Sequence, residues 1–145
     1  MRVEIILTII ISLLGWSPWY VSSDAKVPKE ILNEYKKFSL AQCIENNYEK
    51  MGVDFTKLPL KDHTAGFIDM DIGLAFYRDK DNVLASFIEN KTGDFYKPKQ
   101  TSGDLVSTNI VIYECIDFYH SRELDVFLRK IITERIIDDK NDYLE

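Results

Sequence analysis

Cysteine and histidine are scarce in this chain, two of each in 145 residues, and most metal and redox chemistry goes with them. His63 and His120 stand alone, with no His-Glu pair and no Cys-x-x-Cys, which leaves too few ligands for a zinc site. The six glycines form no phosphate-cradling loop, and no nucleophile elbow is present. Asp69-Met70-Asp71 and Asp79-Lys80-Asp81 resemble the start of a calcium loop. Neither continues with the glycine and distal glutamate that the coordination geometry requires. Positive charge is also in deficit, with a formal net charge of −6, so binding a phosphate backbone gains nothing and nucleic acid is excluded as an expected partner. No metal, no cofactor and no catalytic residue is assigned.

Long apolar runs are absent as well. The longest, Ile5 to Leu14, reads IILTIIISLL, and it falls short of the roughly 20 residues that cross a bilayer. It follows Arg2 and precedes Gly15, Ser17 and Pro18, with small residues at Ser22, Ser23 and Ala25. That order is the pattern of a secretory signal peptide, so residues 1–25 are expected to be removed and residues 26–145 to form one exported domain. Removal takes away Arg2, Glu4 and Asp24, leaving the mature chain moderately acidic and with no membrane segment.

Only Cys43 and Cys115 then remain for redox chemistry. In an oxidising compartment an even pair reads most simply as one disulfide. The competing reading makes one cysteine a nucleophile with a histidine as its base. Cys115 and His120 cannot form that dyad on one helix, because five residues place them about 140° apart. A base from another helix, His63 or His120, keeps that reading open.

The apolar pattern is helical throughout and predicts an all-α bundle of four to five helices. Pro28 suits a first turn. Ile31, Tyr35, Phe38, Ile44, Tyr48 and Met51 recur at spacings of mostly three and four before Gly52. Val53 to Lys61 is a connector, followed by a short helix from Asp62 or His63 to about Asp71, with Gly73 as a bend. Leu74, Tyr77, Leu84, Phe87 and Ile88 continue a helical stripe until Thr92-Gly93. Leu105, Val106, Ile110, Tyr113 and Ile116, with Phe118 at the end of the stripe, predict a further helix capped by Ser102 or Asp104. Ser121 offers an N-cap for the last helix, with Glu123 in its first turn and Leu124, Phe127, Leu128, Ile131 and Ile132 on its apolar face. His120 falls in the corner between the two, a place for a hydrogen bond to a helix end. The acidic stretch Asp138 to Asp142 reads as frayed tail.

The segment Cys115 to Lys130, CIDFYHSRELDVFLRK, resembles the C-terminal signature of the type VI secretion amidase immunity proteins. Cys115, Asp117, Tyr119, His120, Ser121, Arg122, Glu123, Leu124 and Asp125 match that pattern in order. Ser39-Leu40-Ala41-Gln42-Cys43-Ile44 is similar to the family's first-helix stretch around its other cysteine. The resemblance implies a periplasmic immunity protein without catalysis of its own. It also implies an all-helical homodimer that binds a cognate cysteine amidase effector, as a heterotetramer in the assembled complex. In that family a protruding loop blocks the cleft of a toxin that cuts the peptidoglycan stem peptide.

The best candidate for such a loop is Tyr96 to Gly103, the longest span after the first helix without an apolar stripe. Lys97 and Lys99 are a local positive pair suited to an acidic rim, and Gln100, Thr101 and Ser102 offer hydrogen bonds. Val53 to Lys61 is the rival loop. An exported cysteine-dependent hydrolase and a periplasmic binding module with an unrelated partner are the alternative functions.

Overall fold

The computed structural model describes residues 27–72 and 83–142. The expected signal peptide and cleavage site, the Gly73 bend, Leu74, Tyr77 and Arg78 to Asp81 lie outside these residues. Among the described residues the chain is all-α, with helices α1 (Lys29–Lys50), α2 (Thr64–Ile72), α3 (Val83–Thr92), α4 (Val111–His120) and α5 (Arg122–Asp142). A single 3₁₀ turn, Phe55–Lys57, lies between α1 and α2. No helix among them is long and apolar enough to cross a membrane.

Helix α1 is the axis of the fold, and each of the other helices packs on it. Its start and stop follow from local chemistry. The Pro28 carbonyl accepts the Leu32 N–H at 3.1 Å, so proline sits where its missing N–H costs nothing. At the other end Gly52 takes φ +88°, a left-handed conformation that a side chain would strain. That turn lets the Gly52 N–H reach the Glu49 carbonyl at 2.8 Å and the Val53 N–H reach the Tyr48 carbonyl at 3.0 Å. Together with the Met51 N–H, which also reaches the Tyr48 carbonyl at 3.0 Å, these bonds satisfy carbonyls of the last turn.

The buried face of α1 is Leu32, Tyr35, Phe38, Ser39, Cys43 and Asn47. The expected stripe holds at Tyr35 and Phe38, whereas Ile31 is exposed and Leu32 takes its place in the core. Against this face pack Leu84 and Ile88 of α3, Val111, Cys115 and Phe118 of α4, and Leu124, Leu128 and Ile132 of α5. Phe87 of α3 stacks on Phe127 of α5 with ring centroids 3.8 Å apart, and it lies 6.2 Å from Phe118. Cys43 and Cys115 are bonded, with Cα atoms 5.8 Å apart, and join α1 to α4. No cysteine is free.

Three expectations are corrected. Helix α4 begins at Val111, not near Leu105, and neither Ser102 nor Asp104 caps it. The segment before it is a series of tight turns: Gly103 has φ +91°, Val106 N–H bonds the Gly103 carbonyl and Thr108 N–H bonds the Leu105 carbonyl. The Asn109 side chain then receives the Val111 N–H at 3.3 Å. The buried stripe of α4 is also rotated. Val111 and Cys115 join Phe118, which the expected stripe included, in facing the core, while Ile110, Tyr113 and Ile116 are exposed. The disulfide sets this rotation, because Cys115 must meet Cys43 and carries residues three and four away with it. Finally, α5 continues as helix to Asp142, so the acidic stretch from Asp138 is helical backbone.

Candidate functional site

The segment Gly93 to Ile110 joins α3 to α4 and is the longest non-helical stretch among the described residues. It is longer at its C-terminal end than the Tyr96 to Gly103 loop expected from sequence. Its first residues are held firmly. Asn47 is fully buried, and its side-chain amide donates to the Cys43 and Thr92 carbonyls, both at 2.9 Å. The Asn47 Oδ1 accepts the Tyr96 N–H at 2.9 Å. One amide therefore ties α1, the end of α3 and the beginning of the loop, and none of its hydrogen-bonding atoms is wasted.

Gly93 reinforces this tie. A Cβ there would come within 2.6 Å of the Glu89 carbonyl oxygen, closer than atoms tolerate, so only glycine allows the chain to leave α3 at this angle. The Gly93 carbonyl accepts from Lys50 Nζ at 2.7 Å, and the same ammonium pairs with Glu89. Further along, Lys99 bridges to Glu114 of α4 at 2.7 Å and lies 5.6 Å from the Phe95 ring centroid. Near the loop's end the Asn109 amide reaches the Met51 sulfur at 3.4 Å.

These contacts revise the expected role of the lysines. Lys97 pairs with Asp94 at 2.7 Å, and its hydrogen bond holds the Asp94 carboxyl below the usual carboxylate range while Asp94 raises Lys97 in return. Lys97 and Lys99 therefore each have a carboxylate partner within the chain, with which a partner protein would compete. Gln100, Thr101 and Ser102 are exposed, as are Leu105 and Val106, at 53% and 42% of their full surface. Sequence reasoning missed Asn47 and Glu114. A polar residue in the midst of an apolar stripe was the available signal for Asn47, since a buried amide must be satisfied by something nearby.

The motif residues Asp117 to Asp125 build the corner between α4 and α5, which is Ser121 alone. The Ser121 hydroxyl accepts the Leu124 N–H at 3.1 Å and its carbonyl accepts the Asp125 N–H at 3.3 Å. Leu124 is fully buried. Asp125 accepts from Arg129 at 2.8 Å and lies 3.7 Å from Lys36 of α1, whose ammonium also sits over the Tyr119 ring. Glu123 pairs with Lys91 of α3. Asp117 and His120 are exposed. His120 sets its ring edge against Tyr119, with centroids 4.9 Å apart, and makes no hydrogen bond to a helix end among the described residues. The corner is thus fastened to α1 and α3 through charges, an arrangement that serves folding. Replacing Ser121 by Ala removes the cap and is expected to cost about 1 kcal/mol, read as a lower Tm with helix content unchanged in circular dichroism.

The described residues also form two cavities, the first beside the loop's start. An open groove of 690 Å³ between α1 and α3 is lined by Gln42, Asn46, Lys50 and Glu89. A smaller one of 260 Å³ lies between α1, the 3₁₀ turn and the start of α2, where Glu45, Glu49, Asp54, Asp62 and His63 gather. Burial raises the Glu45 carboxyl above its ordinary range, partly offset by the hydrogen bond it accepts from the Ala65 N–H. Thr56 and Lys57 hold Asp54 down to about 2 by hydrogen bonding. Among the described residues no three side chains of His, Cys, Asp or Glu are placed to hold a metal ion. In the rival connector the same Asp54 caps the 3₁₀ turn, and Leu58 and Leu60 are exposed.

With both sulfurs in the disulfide, neither Cys43 nor Cys115 offers a thiolate, and the cysteine-nucleophile reading loses its attacking group. The chain was compared with protein-family models, curated proteins and solved structures, and none of them matches it.

Proposed function

We propose that this chain is an exported immunity protein, active in the periplasm, that binds a type VI secretion cysteine amidase and closes its cleft with the loop Gly93 to Ile110. The observation that carries the reading is the construction of that loop: a long exposed segment whose first residues are locked to a disulfide-joined pair of helices. Asn47 lies one helical turn beyond Cys43 and Glu114 is the neighbour of Cys115, so both ties to the loop sit beside the bridge. A plug gains affinity when its conformation is set before binding, because ordering it on contact costs free energy. The sequence resemblance around Cys43 and Cys115 to His120-Ser121 supports the partner class. A homodimer that takes up the effector as a heterotetramer belongs to the same proposal.

The test uses the full mature chain and a set of purified type VI cysteine amidases acting on peptidoglycan. At least one should be inhibited at near-equimolar concentration. Replacing Lys99-Gln100-Thr101 by Gly-Ser-Gly should then abolish that inhibition while circular dichroism is unchanged. Amidases indifferent to the wild-type chain would sink the proposal. Inhibition that survives both this replacement and a Gly-Ser replacement of Gly103 to Thr108 would move the plug to Val53 to Lys61.

A further inference from the structure

We propose that the surface presented to the partner is the second half of the loop, Gly103 to Thr108, with Leu105 and Val106 as its apolar anchors and Asp104 as its charge. The inference rests on the reading of the loop as an inhibitory plug, and it specifies which residues make the contact and what kind of cleft receives them.

The loop divides by its contacts. From Gly93 to Lys99 it is a stem: the Tyr96 N–H is bound by Asn47, the Gly93 carbonyl by Lys50, and the Lys99 ammonium by Glu114. From Gly103 to Thr108 its hydrogen bonds are local: Val106 N–H to the Gly103 carbonyl, and Thr108 N–H and Oγ1 to the Leu105 carbonyl. This tip is a self-contained pair of turns, anchored at its far end by Asn109 to Met51 and to the Val111 N–H. Its backbone shape does not depend on a partner.

The tip is one of the places where apolar surface is spent on solvent, beside Leu60, Phe67, Tyr113 and Val126, which are more exposed still. Leu105 and Val106 are adjacent, and both are exposed on a segment otherwise made of hydroxyl, amide and glycine residues and Asp104. An adjacent pair of exposed aliphatic side chains on a pre-shaped turn gains little from the fold, and it is suited to an apolar pocket ringed by polar groups. The hydroxyls of Thr101, Ser102, Ser107 and Thr108 flank the pair and suit the rim of such a pocket.

Electrostatics narrows the partner further. Between Gln100 and Ile110 the single charged residue is Asp104. The nearest positive charges along the chain, Lys97 and Lys99, are paired with Asp94 and Glu114. The cleft that receives the tip therefore has a neutral or basic mouth. An acidic rim, the expectation drawn from the two lysines, would repel Asp104 at the point of closest approach.

The experiment measures affinity and association rate of full-length variants for the amidase that the wild-type chain inhibits, made catalytically inactive to keep the complex intact. The double variant Leu105→Ser/Val106→Ser is expected to bind about 100-fold more weakly, almost wholly through faster dissociation. Asp104→Lys is expected to slow association, an effect that shrinks with added salt. Lys97→Ala should stay within about threefold of wild type, since an exposed ion pair contributes little. Retained affinity in the double variant, or faster association in Asp104→Lys, overturns the assignment. Hydrogen exchange of the unbound chain supplies a partner-independent check: the Tyr96 amide should be protected and the amides of Asp104, Leu105 and Ser107 should exchange fast. Protection of those three would show that the tip is not presented. If wild-type chain binds no amidase at all, the functional reading fails, an outcome distinct from the other two.

Discussion

Replacing both Cys43 and Cys115 by Ala should lower the stability of the mature domain by about 4 kcal/mol, a fall in Tm of about 15 °C at this chain size. The bridge spans 72 residues, from the middle of α1 to the middle of α4. Without it the unfolded chain regains the freedom that closure of so long a loop removes. Both sulfurs are fully buried, so the Ala pair also leaves unfilled volume between two helices in the core. The loss should extend to function. Asn47 and Glu114 hold the stem of the Gly93 to Ile110 loop from opposite sides of the bridge, and a small slide of α4 on α1 separates those two ties. Thermal unfolding with and without reductant, together with amidase inhibition under both conditions, checks both parts. A Tm unmoved by reductant, with alkylation showing that the thiols are free, would mean that packing alone fixes α1 against α4.

The second large effect is expected at Asn47→Leu. Leucine keeps the branching and the number of side-chain heavy atoms, so the substitution removes the hydrogen bonds while its bulkier methyl groups add a packing cost. It removes the acceptor for the Tyr96 N–H and the donors to the Cys43 and Thr92 carbonyls. Buried groups left without partners cost about 1–3 kcal/mol each, and a total near 3 kcal/mol is expected. Part of the cost is moderated because the Thr92 carbonyl keeps the Phe95 N–H at 3.0 Å. The diagnostic readout is local. Amide exchange at Tyr96 should accelerate far more than at Leu128, which lies in the core of α5. Asn47→Asp keeps an acceptor for Tyr96 but not the donors, and it should recover Tyr96 protection in part. Uniform acceleration at both positions would show that Asn47 contributes general core stability and does not position the loop.

Much of this architecture was legible along the chain because its signals are local. Pro28 and Gly52 bracket α1 through backbone conformations that proline and glycine adopt at least cost. Ser121 marks the start of α5 because a hydroxyl there can receive an N–H of the first turn. Leu124, Leu128 and Ile132 lie on one face because of helical geometry alone. Where the reading failed, at the start of α4, the apolar residues had the right spacing but the wrong company. Leu105 and Val106 sit among Ser, Thr and Gly residues that close turns through their own backbone and hydroxyls, and a β-branched run such as Ile110-Val111-Ile112 does little to extend a helix backward.

The residues by themselves thus determined the helical class and the α1 and α5 starts, and with only two cysteines they left a single possible pairing, Cys43 with Cys115, which the structure shows formed. Each depends on neighbours within a few positions or on there being a single choice. Only the tertiary structure decided which side of α4 is buried, which charges are already paired and where the loop is tied. Asn47 and Tyr96 are 49 residues apart, and Lys50 and Gly93 are 43 apart. Whether a lysine is free for a partner or an amide is satisfied depends on which atoms the packed helices bring within about 3 Å, a distance that no local pattern encodes.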